Sequence, residues 1–106
     1  AGEDVVTAEK TINIENFKTN KLTINKPSVS VTMDKDSIIT EAIFFTGHYA
    51  EFRGAGFATH TITLQPATPG AIIDFKGTNV QKVIIDRTNV KEIRGAENVQ
   101  EIEYKN

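Results

Sequence analysis

No cysteine occurs in the 106 residues. That single absence removes thiol catalysis, disulfide staples and cysteine-based zinc sites together. The chain also has no unbroken apolar run of about 18 residues, so no segment reads as a membrane-spanning helix. Basic clusters are missing too. Lysine and arginine number 12 against 14 acidic residues, mixed along the chain, for a formal net charge of −2. A nucleic-acid binder shows a basic stripe and a membrane-surface protein a basic patch, so neither nucleic acid nor membrane insertion is expected. Only seven glycines are present, and the two-residue hairpin signals Asn-Gly and Asp-Gly do not occur. Helical periodicity is nearly absent as well. The opening AGEDVVTAEK has no signal-peptide pattern. Residues 1–10 read as a polar lead-in, expected to join an upstream region, and 11–106 as one all-β repeat domain.

What remains is strand chemistry. Apolar content of 39% and charged content of 25% are ordinary for a folded domain. Threonine, isoleucine and valine are abundant; they crowd a helix at χ1 and pack well on a pleated surface. Short alternating stretches follow one another: TINIENF, KLTIN, SVSVTM, SIITEAIFF, HYAEF, HTITLQ, AIIDF, VQKVII, VKEIRG and VQEIEY. Each has strand length, and Asn, Gly, Pro and Asp stand between them. DSIITEAIFF could pass for a short helix, but its β-branched density assigns it to a strand.

The chain also repeats itself. Asn79-Val80, Asn89-Val90 and Asn98-Val99 each lead into a short apolar-and-charged run. FRGA begins at Phe52, FKGT at Phe75 and IRGA at Ile93, while MDKD at Met33 sits in a matching place without the glycine. The successive intervals are 19, 23 and 18 residues. A period near 20 marks stacked repeats, each of which buries its apolar face only against its neighbours. The predicted fold is therefore a short parallel β-solenoid (β-helix) of about five coils. Glycine after the cation supplies a positive-φ corner, and Asn79 and Asn98 are expected to form a short stacked ladder. The alternative is a β-sandwich, in which antiparallel hairpins give the same alternation without a repeat.

LTINKPSVSVTMDKDSIITEAIFF and TITLQPATPGAIIDFKGTNVQKVIID resemble the degenerate β-helix-type repeats of Gram-positive cell-surface proteins that carry S-layer-homology modules. The resemblance covers roughly residues 10 to 104, although this chain is poorer in glycine and contains no S-layer-homology module itself. It implies an extracellular location and a structural or adhesive module of a larger cell-surface protein. The expected partners are cell-wall polysaccharide or neighbouring domains of the same protein, and coil ends left uncovered present unpaired backbone, from which self-association through strand ends is expected.

Candidate chemistry is thin. His48 and His60 are the only histidines; in a strand His48 and Glu51 point to opposite faces, so they do not converge on a metal. Asp34 and Asp36 sit in DKDS, which lacks the glycine and distal glutamate of a calcium loop and reads as a turn. Glu41 and Asp74 reach it only from neighbouring coils. Glu51, Asp74, Asp86 and Glu101 are the carboxylates from which a polysaccharide-cleaving pair could be drawn, but the short loops build no groove for a long chain. Gly54 to Gly56 lack the lysine and helix of a phosphate loop and read as a corner. Thr59, Thr61 and Thr63 share a face that does not recur on every coil. No cofactor, metal or catalytic residue is expected. Five of the eight aromatics, Phe44, Phe45, Tyr49, Phe52 and Phe57, fall within 14 residues and are expected mainly in the core. With Phe52 facing inward, Tyr49, Glu51 and Arg53 share the outward face of one strand. They are the predicted ligand contact. The expected function is a non-enzymatic structural or adhesive module; the alternatives are a carbohydrate-binding module and a polysaccharide-active enzyme fragment.

Overall fold

Period-two alternation in the sequence becomes period-two burial in the structure. The computed structural model describes residues 3–6 and 11–105. It contains eleven strands: β1 (Glu3–Val6), β2 (Thr11–Ile14), β3 (Lys18–Ile24), β4 (Ser28–Met33), β5 (Ile38–Phe45), β6 (Tyr49–Arg53), β7 (Thr61–Leu64), β8 (Ala71–Gly77), β9 (Val80–Ile85), β10 (Val90–Arg94) and β11 (Val99–Tyr104). In β4 the inward Val29, Val31 and Met33 are buried while Ser30 and Thr32 are half-buried on the other face. DSIITEAIFF forms strand β5, not a helix. Short 3-10 turns at Gly56–Thr59, Arg87–Asn89 and Ala96–Asn98 turn the chain at corners.

The strands form two sheets, ordered β1-β3-β5-β7-β9-β11 and β10-β8-β6-β4-β2. Consecutive strands therefore alternate between sheets, and each strand pairs in parallel with the strand two before it. Among the described residues no antiparallel hairpin occurs, which removes the hairpin-built sandwich. The stretch read as a lead-in is not outside the fold: Glu3–Val6 pairs with Lys21–Ile24. Backbone pairing satisfies an extended segment at a sheet edge even when half its residues are acidic. The rest of that stretch lies outside the described residues.

Parallel register aligns like with like. Ile43, Ile62, Val83 and Ile102 form one inward row, and Phe45, Leu64 and Ile85 another. Facing them, Val29, Ala50, Ile73 and Ile93 line up in the second sheet. Phe52 sits at the centre with no exposed surface. Its ring stacks on Phe75 at 5.3 Å and meets Phe57 and Phe45 edge-on at 5.3 and 6.4 Å. Edge-on and offset geometries let the positive ring edge meet the negative face. The aromatic cluster is thus mostly core, with Phe44 and Tyr49 the outward exceptions.

Corners are closed by side chains reaching back to an earlier pass. Asp34 accepts from the Asn16 amide at 3.1 Å and from Ser37 Oγ at 2.8 Å, while Ser37 Oγ accepts from the Phe17 amide. The Ser37 bond, with the amide bonds beside it, holds the Asp34 carboxyl below its ordinary value. The DKDS segment is a corner, as its composition indicates. Gly54 and Gly95 take φ of 94° and 75°, the left-handed corners expected of them. Gly77 does not have a positive φ; a Cβ there would stand 2.2 Å from Arg53 Cδ, so this glycine makes room for a side chain. Asn79 and Asn98 occupy equivalent places beside the paired Val80 and Val99, but no amide ladder joins them. Asn98 Nδ2 donates instead to the Phe75 carbonyl at 3.0 Å, and Asn89 Nδ2 to that of Pro66 at 2.9 Å. Each side-chain amide is thereby spent on a main-chain carbonyl of the preceding pass.

Truncating Phe52 to alanine removes the ring that three others touch. Chemical denaturation should show a loss of about 3–5 kcal/mol; a loss under about 1 kcal/mol would mean the aromatic cluster does not hold the two sheets together.

Candidate functional site: a linked row on the five-stranded sheet

The bulged register between β6 and β8 places side chains from three passes beside one another on the outer face. Thr11, Ser30, Glu51, Asp74 and Arg94 form one transverse row. Tyr49 and Arg53 stand two positions to either side of Glu51 on the same strand, so all three share its face. All three are half-buried. Their side chains are joined: Tyr49 Oη donates to Glu51 Oε1, and Arg53 Nη2 lies 3.5 Å from Glu51 Oε2. Ser30 Oγ adds a 3.4 Å bond to Glu51 Oε2.

Arg53 continues the chain of contacts. Its Nη1 donates to Asp74 Oδ1 at 3.2 Å and to the Phe52 carbonyl at 3.1 Å. The Lys76 amide donates to the same Asp74 oxygen at 2.7 Å. Asp74 is only 6% exposed. Burial works against its charge, but the Lys76 amide and the Arg53 guanidinium outweigh it and hold the carboxyl below its ordinary value. Tyr49 moves the other way: its bond to Glu51 keeps the phenol protonated to higher pH.

The predicted trio is therefore together and ordered by mutual bonds. Sequence reading missed that Asp74 is the second anchor of Arg53 and that Ser30 supports Glu51. Those partners stand 21 residues away on neighbouring passes, and only the register of the parallel ladder brings them close. Gly77 was the available signal, since its missing Cβ leaves the space in which Arg53 lies.

The remaining candidates stay apart. Asp86 accepts from the Thr88 amide at a corner. Glu101 lies on the other sheet, 3.5 Å from Lys82, which also contacts Glu103 at 2.9 Å. Asp74 is held charged, whereas a general acid for glycoside cleavage needs its carboxyl raised. His48 is exposed at a corner, and His60 Nε2 accepts from the Ile39 amide at 3.1 Å. Asp36, Glu41 and Thr59 are exposed, and Thr61 and Thr63 are half-buried on the outer face of the other sheet. Among the described residues no group of three metal-ligating side chains converges, and no helix is long and apolar enough to cross a membrane.

No family model, curated protein or solved structure matches the chain.

Replacing Asp74 with alanine leaves the Lys76 amide and part of the Arg53 guanidinium without an acceptor. Stability at pH 7 should fall by about 1–3 kcal/mol. Because the folded-state carboxyl is lowered, its contribution is present above its ordinary value of 3.8 and is lost as pH falls through the lower folded value. Unfolding curves of the protein and of D74N should therefore converge in strong acid; a constant gap down to pH 2 would contradict the ion-pair account.

Proposed function

We propose that this chain is a parallel β-solenoid of about five coils that serves as a non-enzymatic structural or adhesive module of a larger extracellular, cell-surface protein. The observation that carries the reading is the strand order: the chain passes from one sheet to the other and back, adding one parallel strand to each. Such a stack transmits load through a continuous ladder and core, and it presents two flat, repetitive faces to partners. The resemblance of its repeats to those of Gram-positive surface proteins favours the same role and compartment.

The ends fit an assembly module as well. At β10 and β11 the inward Val90, Ile93, Val99 and Ile102 are only half-buried, and among the described residues each of these strands has a partner on one side alone. Open parallel edges template further pairing unless blunted by charge. Lys82, Glu101, Glu103 and Lys105 place linked charges along β11, which limits uncontrolled addition while leaving neighbouring domains of the same protein as fitting partners.

A carbohydrate-binding role is the second reading, favoured by the Tyr49–Glu51–Arg53 row. A phenol ring beside fixed acceptors and donors is the arrangement that holds a sugar's apolar face and hydroxyls. Purified protein incubated with insoluble cell-wall polysaccharide should co-sediment with it and release no reducing ends. Release that is lost in D74N or D86N would overturn the non-enzymatic reading; failure to co-sediment would remove adhesion to polysaccharide.

A further inference from the structure

A groove lies beside the linked row, over the outer face of β4. Its floor is Ser28 and Ser30, with Thr11 of β2 on one side and Tyr49 and Glu51 of β6 on the other. Lys26, at the corner that leads into β4, closes one end. The volume is about 420 Å³, within the range of small-ligand sites. The depression exists because serines occupy the outer positions of β4 while a tyrosine stands on the next strand. Its hydroxyls both donate and accept, while Pro27, Val29 and the Tyr49 ring make much of the lining apolar, so the groove suits a sugar, which carries both hydroxyls and a C–H face.

The charges in the groove are not balanced. Glu51 is already met by Arg53, Tyr49 and Ser30. Arg53, which adjoins the groove through Glu51, is itself met by Glu51 and Asp74. Lys26 is half-buried and has no ion-pair partner among the described residues. The uncompensated charge of the groove is therefore a positive one, at one end of a lining that combines hydroxyls with apolar surface. An ammonium without a carboxylate partner is free to form charge-assisted hydrogen bonds with an incoming anion.

We propose that the groove binds one residue of an acidic saccharide, with the sugar carboxylate on Lys26 and the sugar hydroxyls on Ser28, Ser30 and Glu51. The Tyr49 ring, fixed through its bond to Glu51, forms the wall against which the C–H face of the pyranose rests. This deepens the saccharide reading given above and rests on it. Arg53 acts as a positioning residue, because it holds Glu51 and does not line the groove.

The test is a titration of isotope-labelled protein with trigalacturonate and, separately, with uncharged maltotriose, followed through amide shifts at low and moderate salt. Trigalacturonate should shift residues 26–30 and 49–51 and bind about fivefold more tightly than maltotriose, the size expected of one partly exposed charge pair. That preference should shrink with salt and vanish in Lys26→Gln, whose thermal melt should be unchanged. Equal binding of both sugars at these residues would overturn the acidic assignment and leave the saccharide reading standing. Shifts confined to other surfaces would overturn the groove as the site. Binding of neither sugar would overturn both.

Discussion

Every strand here depends on a partner about twenty residues away in sequence. The backbone of β7 is satisfied by β5 on one side and β9 on the other, never by a hairpin neighbour. A parallel ladder requires a crossover between pairing strands, and this chain makes the crossover another strand. That choice creates the second sheet, encloses one core and sets the outward rows. Remove the constraint that each pass must align with the last, and neither the phenylalanine cluster nor the Glu51–Arg53–Asp74 linkage has a reason to form.

The corners show how the constraint is enforced. A strand can slide by two residues without turning its apolar side chains outward, so burial alone leaves the register open. Side chains at the turns fix it. Thr78 donates to the Gly54 carbonyl at 2.5 Å, Asn98 to Phe75, and Asn89 to Pro66, each spanning 23 or 24 residues. Asp34 and Ser37 do the same between Asn16 and Phe17 on the N-terminal side. His60 joins them through the Ile39 amide, although its own Nδ1 is buried without a partner. These bonds are the polar counterpart of the inward rows, and they cross between passes at the corners.

Much of this was legible in the residues and some of it was not. TITL, VQKVII and VQEIEY announce strands because their alternation has only one physical use, and each became one. The spacing near 20 also carried through. The cation-glycine motif was a poorer guide to register. It aligns Met33 with Phe52 and Phe75 with Ile93, whereas hydrogen bonding pairs Val31 with Phe52 and Ile73 with Ile93. Both errors are slips of two, the kind that alternation does not detect. Bulges between Glu51 and Arg53 and between Val90 and Glu92 stretch the period locally, and a fixed repeat does not express them. The trio on β6 was legible because it needs only one strand's alternation. Asp74, Ser30 and Lys26 were not, because they lie on the passes to either side of β6.

The central claim is that these strands stack in parallel at intervals near twenty. Backbone NMR contacts test it most directly, through amide and Hα cross-peaks linking Ile43 to Ile62, Ile62 to Val83 and Val83 to Ile102. Parallel stacking predicts contacts along this whole row, spaced 19, 21 and 19 residues apart. Close Hα–Hα contacts between consecutive strands, such as β7 with β8, would show antiparallel pairing and contradict the account.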